Sequence, residues 1–130
     1  MSLENSKIPI EEKVIKVTDF DIETPIDSKK ALEGLGNNNR LFYNMVDTIE
    51  DMTLNKVMKN IIEPFETKDY KNMKEQAHIL KGASGYIGAG RIHYVCYYIQ
   101  ESFYFKKFDR MLEYYPSLVE AAIEFKIYSR

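Results

Sequence analysis

The sequence has almost no cysteine: Cys96 stands alone among 130 residues. No intramolecular disulfide can form, and no cysteine pair exists to hold a metal, which favours a reducing compartment. Histidine occurs twice, as His78 and His93, too few without neighbouring cysteines for a structural zinc site. Net charge is also small: 18 Lys plus Arg against 20 Asp plus Glu give -2, a poor basis for holding a polyanion by phosphate neutralisation, so no nucleic-acid partner is expected. The longest apolar run, Tyr94 to Ile99, falls far short of the ~18–20 residues that span a bilayer, and the polar start has no hydrophobic signal core. No membrane partner is expected either. What is present is 45% apolar composition in a chain of single-domain length, enough for one real core but not for a second catalytic domain. The expectation is a cytoplasmic globular domain.

Proline and glycine divide the chain. The prolines are Pro9, Pro25, Pro64 and Pro116, and four of the six glycines (Gly82, Gly85, Gly88, Gly90) fall within nine residues. Residues 1–26 carry two prolines and no sustained helical period, so they read as an N-terminal tail or extended lead-in; residues 27–130 read as the folded domain. Asp27 or Ser28 caps a short helix through Ala31, Leu32 and Leu35 that closes at Gly36. Leu41, Met45, Ile49 and Met52 then share one helical face, while Leu54, Met58, Ile61 and Phe65 share another, so a break or kink is predicted at Asp51 to Thr53. Pro64 is expected to end that segment and Thr67 or Lys68 to open the next, whose inner side carries Tyr70, Met73, Ala77, Leu80, Ser84 and Ile87. Gly88 and Gly90 separate it from a helix with Ile92, Cys96, Ile99 and Phe103. A final amphipathic helix runs from about Phe108 to Tyr128, with Pro116 kinking it unless it begins a turn. The predicted fold is all-α: an antiparallel four-helix bundle with a short additional N-terminal helix.

A helical wheel places His78. At 100° per residue its direction lies about 130° from the mean of the six inner positions, so the imidazole is expected at the surface. Lys71, Lys74, Lys81, Gly82 and Gly85 fall in the same outer sector, a basic stripe interrupted by glycines one and two turns past the histidine. Each interior glycine costs a helix roughly 1 kcal/mol against alanine, which is offset if a flat approach lets another molecule reach the ring. An exposed histidine near its ordinary pKa of ~6.5 is largely neutral, with one ring nitrogen available as a nucleophile. Lys81 would place an ammonium beside an anion formed there. The ensemble suggests a phosphoryl acceptor. The stretch G-A-S-G-Y-I-G-A-G from Gly82 to Gly90 lacks the lysine and strand context of a nucleotide-binding loop, so the donor is expected to be another protein and the chain not an autonomous kinase. The plainer alternative is a solvated histidine among solvating lysines.

The run Ala77-His78-Ile79-Leu80-Lys81-Gly82-Ala83-Ser84-Gly85-Tyr86-Ile87-Gly88-Ala89, followed by Cys96, resembles the signature of histidine-containing phosphotransfer (HPt) domains of two-component phosphorelays. The helical resemblance extends over residues 27–130. It implies that His78 is the phosphorylated histidine, that Lys81 helps hold the phosphoryl group, and that Gly82 lets a receiver domain approach. Gly85, Lys71, Lys74 and Tyr86 join it as expected partner-facing residues. Response-regulator receiver domains, and a hybrid histidine kinase, are the partners implied; no cofactor belongs to this chain, and Mg²⁺ is expected on the receiver. Ala83 stands where a serine is frequent and Gln100 where a glutamate is common, departures expected to leave the transfer chemistry untouched. Two other functions fit the same residues: a docking module that carries no phosphate, and the first phosphoacceptor domain of a histidine kinase. His93 and Cys96 read as packing residues.

Overall fold

A computed structural model describes residues 20–129; residues 1–19, most of the expected lead-in, lie outside the described part. The elements are α1 (Ser28–Gly34), α2 (Asn39–Thr48), a π-helical turn (Ile49–Leu54), α3 (Asn55–Asn60), α4 (Ile62–Thr67), α5 (Tyr70–Tyr86), α6 (Gly90–Tyr104) and α7 (Phe108–Tyr128). No strand occurs among the described residues. Segments α2 to α4 form one composite helix, which with α5, α6 and α7 makes an antiparallel four-helix bundle; α1 is the short additional helix. Antiparallel register is visible in the side chains that meet: Arg91 with Glu124, Tyr98 with Tyr114, and Phe103 with Phe108 between α6 and α7. The stacks of Phe65 on Tyr115 and Tyr70 on Phe108, with centroids 4.0 and 4.6 Å apart, tie the composite helix and α5 to α7.

The switch of apolar face at Asp51 to Thr53 does not break the helix. The wider π turn from Ile49 to Leu54 absorbs it, changing the angular register while the hydrogen-bonded backbone continues. Before that turn the buried positions are Phe42 and Val46, with Met45 on the flank and Leu41 exposed; within it Ile49 is on the flank and Met52 exposed. After it they are Leu54, Val57 and Ile61. Pro64 also departs from expectation. It lies in the first turn of α4, where a missing N–H costs nothing, and the helix ends instead at Lys68, which takes a left-handed conformation at φ 60°. Asp69, rather than Thr67 or Lys68, caps α5, its carboxylate accepting from the Asn72 amide at 3.2 Å. Pro116 sits inside α7, which continues through it.

The lead-in contributes to the core from its last seven residues. Phe20 and Ile26 are buried, Arg91 donates to the carbonyls of Ile22 and Glu23, and the Phe20 amide donates to the Tyr94 hydroxyl. Asp27 joins three parts. Its amide donates to the Gly88 carbonyl at 2.7 Å, while its carboxylate caps α1 at Lys30 and accepts from Asp21. The turn between α5 and α6 is thereby fastened to the start of α1.

Candidate functional site

Helix α5 buries Met73, Ala77, Leu80 and Ser84, with Ile87 just beyond its end, and this apolar spacing turns His78 outward. His78 and Gly82 are exposed, Lys71 and Ile79 also, and Tyr86 is 67% exposed. A Cβ added at Gly82 would meet nothing within 4 Å. The surface beside the imidazole is therefore open one turn towards the C-terminus. Lys74, one turn the other way, is half-buried, with its ammonium over the rings of Phe103 and Tyr104 at 5.2 and 5.9 Å from their centroids.

Three placements differ from the sequence reading. Lys81 is only 3% exposed: its stem folds into the seam between α5 and α6, and its ammonium lies 5.9 Å from the centroid of the Tyr97 ring. A long, flexible lysine at the boundary of the outer sector can bury its methylenes against a neighbouring helix, an option that the wheel does not represent. Gly85 faces α6: a Cβ added there would lie 3.4 Å from Cε1 and Nδ1 of His93, ordinary contact distance. Gln100 does touch the candidate acceptor, since its amide lies 3.1 Å from Nδ1 of His78.

The α5–α6 seam runs as a sequence of facing pairs. Lys74 meets Tyr104, His78 meets Gln100, Lys81 meets Tyr97, and Gly85 meets His93. His93 is buried, and its Nδ1–H donates to the Lys81 carbonyl at 3.0 Å, which assigns its tautomer because a carbonyl only accepts. The Ser84 hydroxyl donates to the same carbonyl at 3.1 Å. The turn of α5 that presents Lys81 is thus held by its own helix and by α6. Cys96 is fully buried and its thiol is pushed far up from its usual range by desolvation, with the Lys81 charge pulling the other way. It is a core residue, as expected.

Gln100 is 2% exposed, and its Oε1 is buried without a hydrogen-bond partner. With Nε2 of Gln100 on Nδ1, the amide donates to an imidazole whose proton sits on its own Nε2. Turned by half a revolution, the amide presents Oε1 to an Nδ1–H, and the lone pair moves to Nε2 of His78. A neutral amide thus supports either tautomer, whereas a carboxylate would support only the one with Nδ1 protonated. Sequence reasoning placed Gln100 outside the chemistry; the usable signal was its spacing one turn beyond Cys96, on the side of α6 that faces α5.

The site thus presents an exposed imidazole on the second helix of an antiparallel bundle, in contact with a buried amide and with a lysine one turn away. A family model for the Hpt domain matches residues 44–124, from α2 through nearly all of α7, and the chain belongs to that family. Its members act in phosphotransfer within two-component signalling, with receiver domains and kinases. Comparisons with curated proteins and with solved structures found no match. No described helix is long and apolar enough to cross a membrane.

Proposed function

We propose that His78 is the phosphoacceptor of a phosphorelay, taking a phosphoryl group from an aspartyl phosphate on a receiver domain and passing it to another receiver aspartate. The observation that carries this reading is the contact of the Gln100 amide with Nδ1 at 3.1 Å, which occupies one ring nitrogen of an exposed histidine; with the amide turned so that Oε1 accepts from Nδ1–H, the Nε2 lone pair is left for the reaction. In the transfer, the Nε2 lone pair attacks phosphorus, the bond from phosphorus to the aspartyl oxygen breaks, and aspartate leaves as a carboxylate. The proton stays on Nδ1, hydrogen-bonded to Oε1 of the turned Gln100 amide. The return step reverses these bonds. Catalysis of this kind rests on in-line positioning and on cations beside the transferring group, not on acid–base help.

Lys81 supplies one such cation, one helical turn from His78. Mg²⁺ belongs to the receiver, whose carboxylates would hold it. Gly82 and Tyr86 form the approach surface, and Lys71 and Lys74 steer the acidic mouth of a receiver towards it. Cytoplasmic placement and exchange with a hybrid kinase belong to the same reading. The test mixes the protein with a phosphorylated receiver and looks for acid-labile phosphate on His78. Wild type is expected to label and His78→Gln to stay blank with an unchanged circular dichroism spectrum. Equal labelling of both would end the relay reading in favour of a docking module, and labelling by an ATP-charged kinase but never by a receiver would make this the first phosphoacceptor domain of such a kinase.

A further inference from the structure

Lys81 is positioned by a residue that the sequence reading did not use. An ammonium in a site only 3% exposed must find compensation for the water it has lost. Part of that compensation is the face of Tyr97, 5.9 Å away at the centroid, within the range of a cation–π contact. The Lys81 charge also pulls down the thiol of Cys96, the residue next to Tyr97, against the larger upward push of burial. The Tyr97 ring is itself fixed: it is half-buried, and its hydroxyl donates to Glu101 at 3.4 Å. Tyr97 meets Lys81 one turn from where Gln100 meets His78.

We infer that Tyr97 is a positioning residue: its ring face parks the Lys81 ammonium in the α5–α6 seam while His78 is unmodified, and Lys81 leaves that face for the phosphoryl oxygens once His78 carries phosphate. This rests on the proposed role of His78. A dianionic phosphoryl group outcompetes a ring quadrupole for an ammonium, whereas in its absence the ring is the better partner than exposure of the apolar seam. Tyr97 therefore competes with the phosphorylated state. Removing its ring face lowers the cost of releasing Lys81, and the equilibrium between receiver and His78 moves towards phosphohistidine by about three- to tenfold, the range of a modest cation–π contact.

The test uses Tyr97→Phe, which keeps the ring, and Tyr97→Leu, which keeps only bulk. In the unmodified protein, amine acylation read by mass spectrometry is expected to be slow at Lys81 in wild type and Tyr97→Phe and several-fold faster in Tyr97→Leu. In NMR spectra, the ring-current shift of the Lys81 ε-protons should be lost in Tyr97→Leu, and should be lost in wild type when His78 is phosphorylated with phosphoramidate. The equilibrium shift in Tyr97→Leu should vanish when Lys81→Met is combined with it. Unchanged acylation and ring-current shifts in Tyr97→Leu, or an equilibrium shift that survives Lys81→Met, overturn the inference alone. A His78 that takes phosphate from neither phosphoramidate nor a receiver overturns the proposed function as well, while the acylation result, needing no phosphate, is read independently of it.

Discussion

Replacing Gly82 with alanine should stabilise the protein. Gly82 lies inside α5, is exposed, and has nothing within 4 Å of where a Cβ would sit, so alanine adds neither strain nor packing. What remains is the helix-interior preference of alanine over glycine, about 0.8–1 kcal/mol. For a domain of about 110 residues, an unfolding entropy near 2.1 cal/mol/K per residue gives ~0.23 kcal/mol/K, so ~1 kcal/mol is a rise in Tm of about 4 °C. Thermal unfolding followed at 222 nm measures it, with a urea titration checking that the slope is unchanged. The same position should respond differently in function: Gly82→Glu is expected to keep the fold and to slow phosphotransfer tenfold or more, because a carboxylate one turn from His78 obstructs docking and repels the phosphoryl group. A Tm for Gly82→Ala at or below wild type would refute the reading of Gly82 as a glycine retained against helix stability. Transfer at wild-type rate in Gly82→Glu would remove its docking role.

Gly88 should respond in the opposite sense. Its φ is +72° and an added Cβ would collide with the Asp27 carbonyl, so Gly88→Ala is expected to lose at least ~2 kcal/mol, read from the urea midpoint; a loss below ~0.5 kcal/mol would show that the turn relaxes freely. Gln100→Leu should slow transfer to His78 several-fold while Gln100→Glu, which accepts from Nδ1–H, stays near wild type; equal rates in all three would deny Gln100 any part in orienting the ring. For Cys96, burial raises the folded thiol pKa above its ordinary value of 9.0, so the folded state holds the proton more tightly than the unfolded chain. Its contribution is fully present below pH 9 and is lost above it, by up to ~1.4 kcal/mol per pH unit. Stability of wild type minus that of Cys96→Ala, measured from pH 8 to 10.5, should fall with that sign; a flat difference would mean the thiol is already exposed.

The fold was legible wherever a face, a cap or a glycine acts alone. Met73, Ala77, Leu80, Ser84 and Ile87 sit inside as the period of α5 requires, and the same period exposes His78. Gly88 supplies the positive φ that its place between two helices called for. The π turn was visible only as its consequence, a change of face between Ile49 and Leu54. A one-helix wheel cannot distinguish a broken helix from one whose turn widens, because both rotate the later residues by a similar angle. Pro64 misled for a related reason: proline stops a helix from behind and starts one from the front, and here it does the second.

The residues whose placement differs from the sequence reading all belong to the seam between two helices. Lys81, Gly85 and Gln100 stand opposite Tyr97, His93 and His78 respectively, and such opposition depends on the register of α5 against α6 across the turn at Gly88. A slip of one helical turn at that junction would leave every α5 residue on its predicted side, yet it would put Gln100 beside Lys81 and remove the orienting partner from His78. The near-neutral net charge hides the same dependence. Of the lysines expected as one solvated stripe, Lys71 is exposed, Lys74 lies over two aromatic rings and Lys81 is buried, so the cation closest in sequence to the acceptor is the one least available to solvent. Its burial keeps a positive charge near His78 without offering that charge to every passing anion.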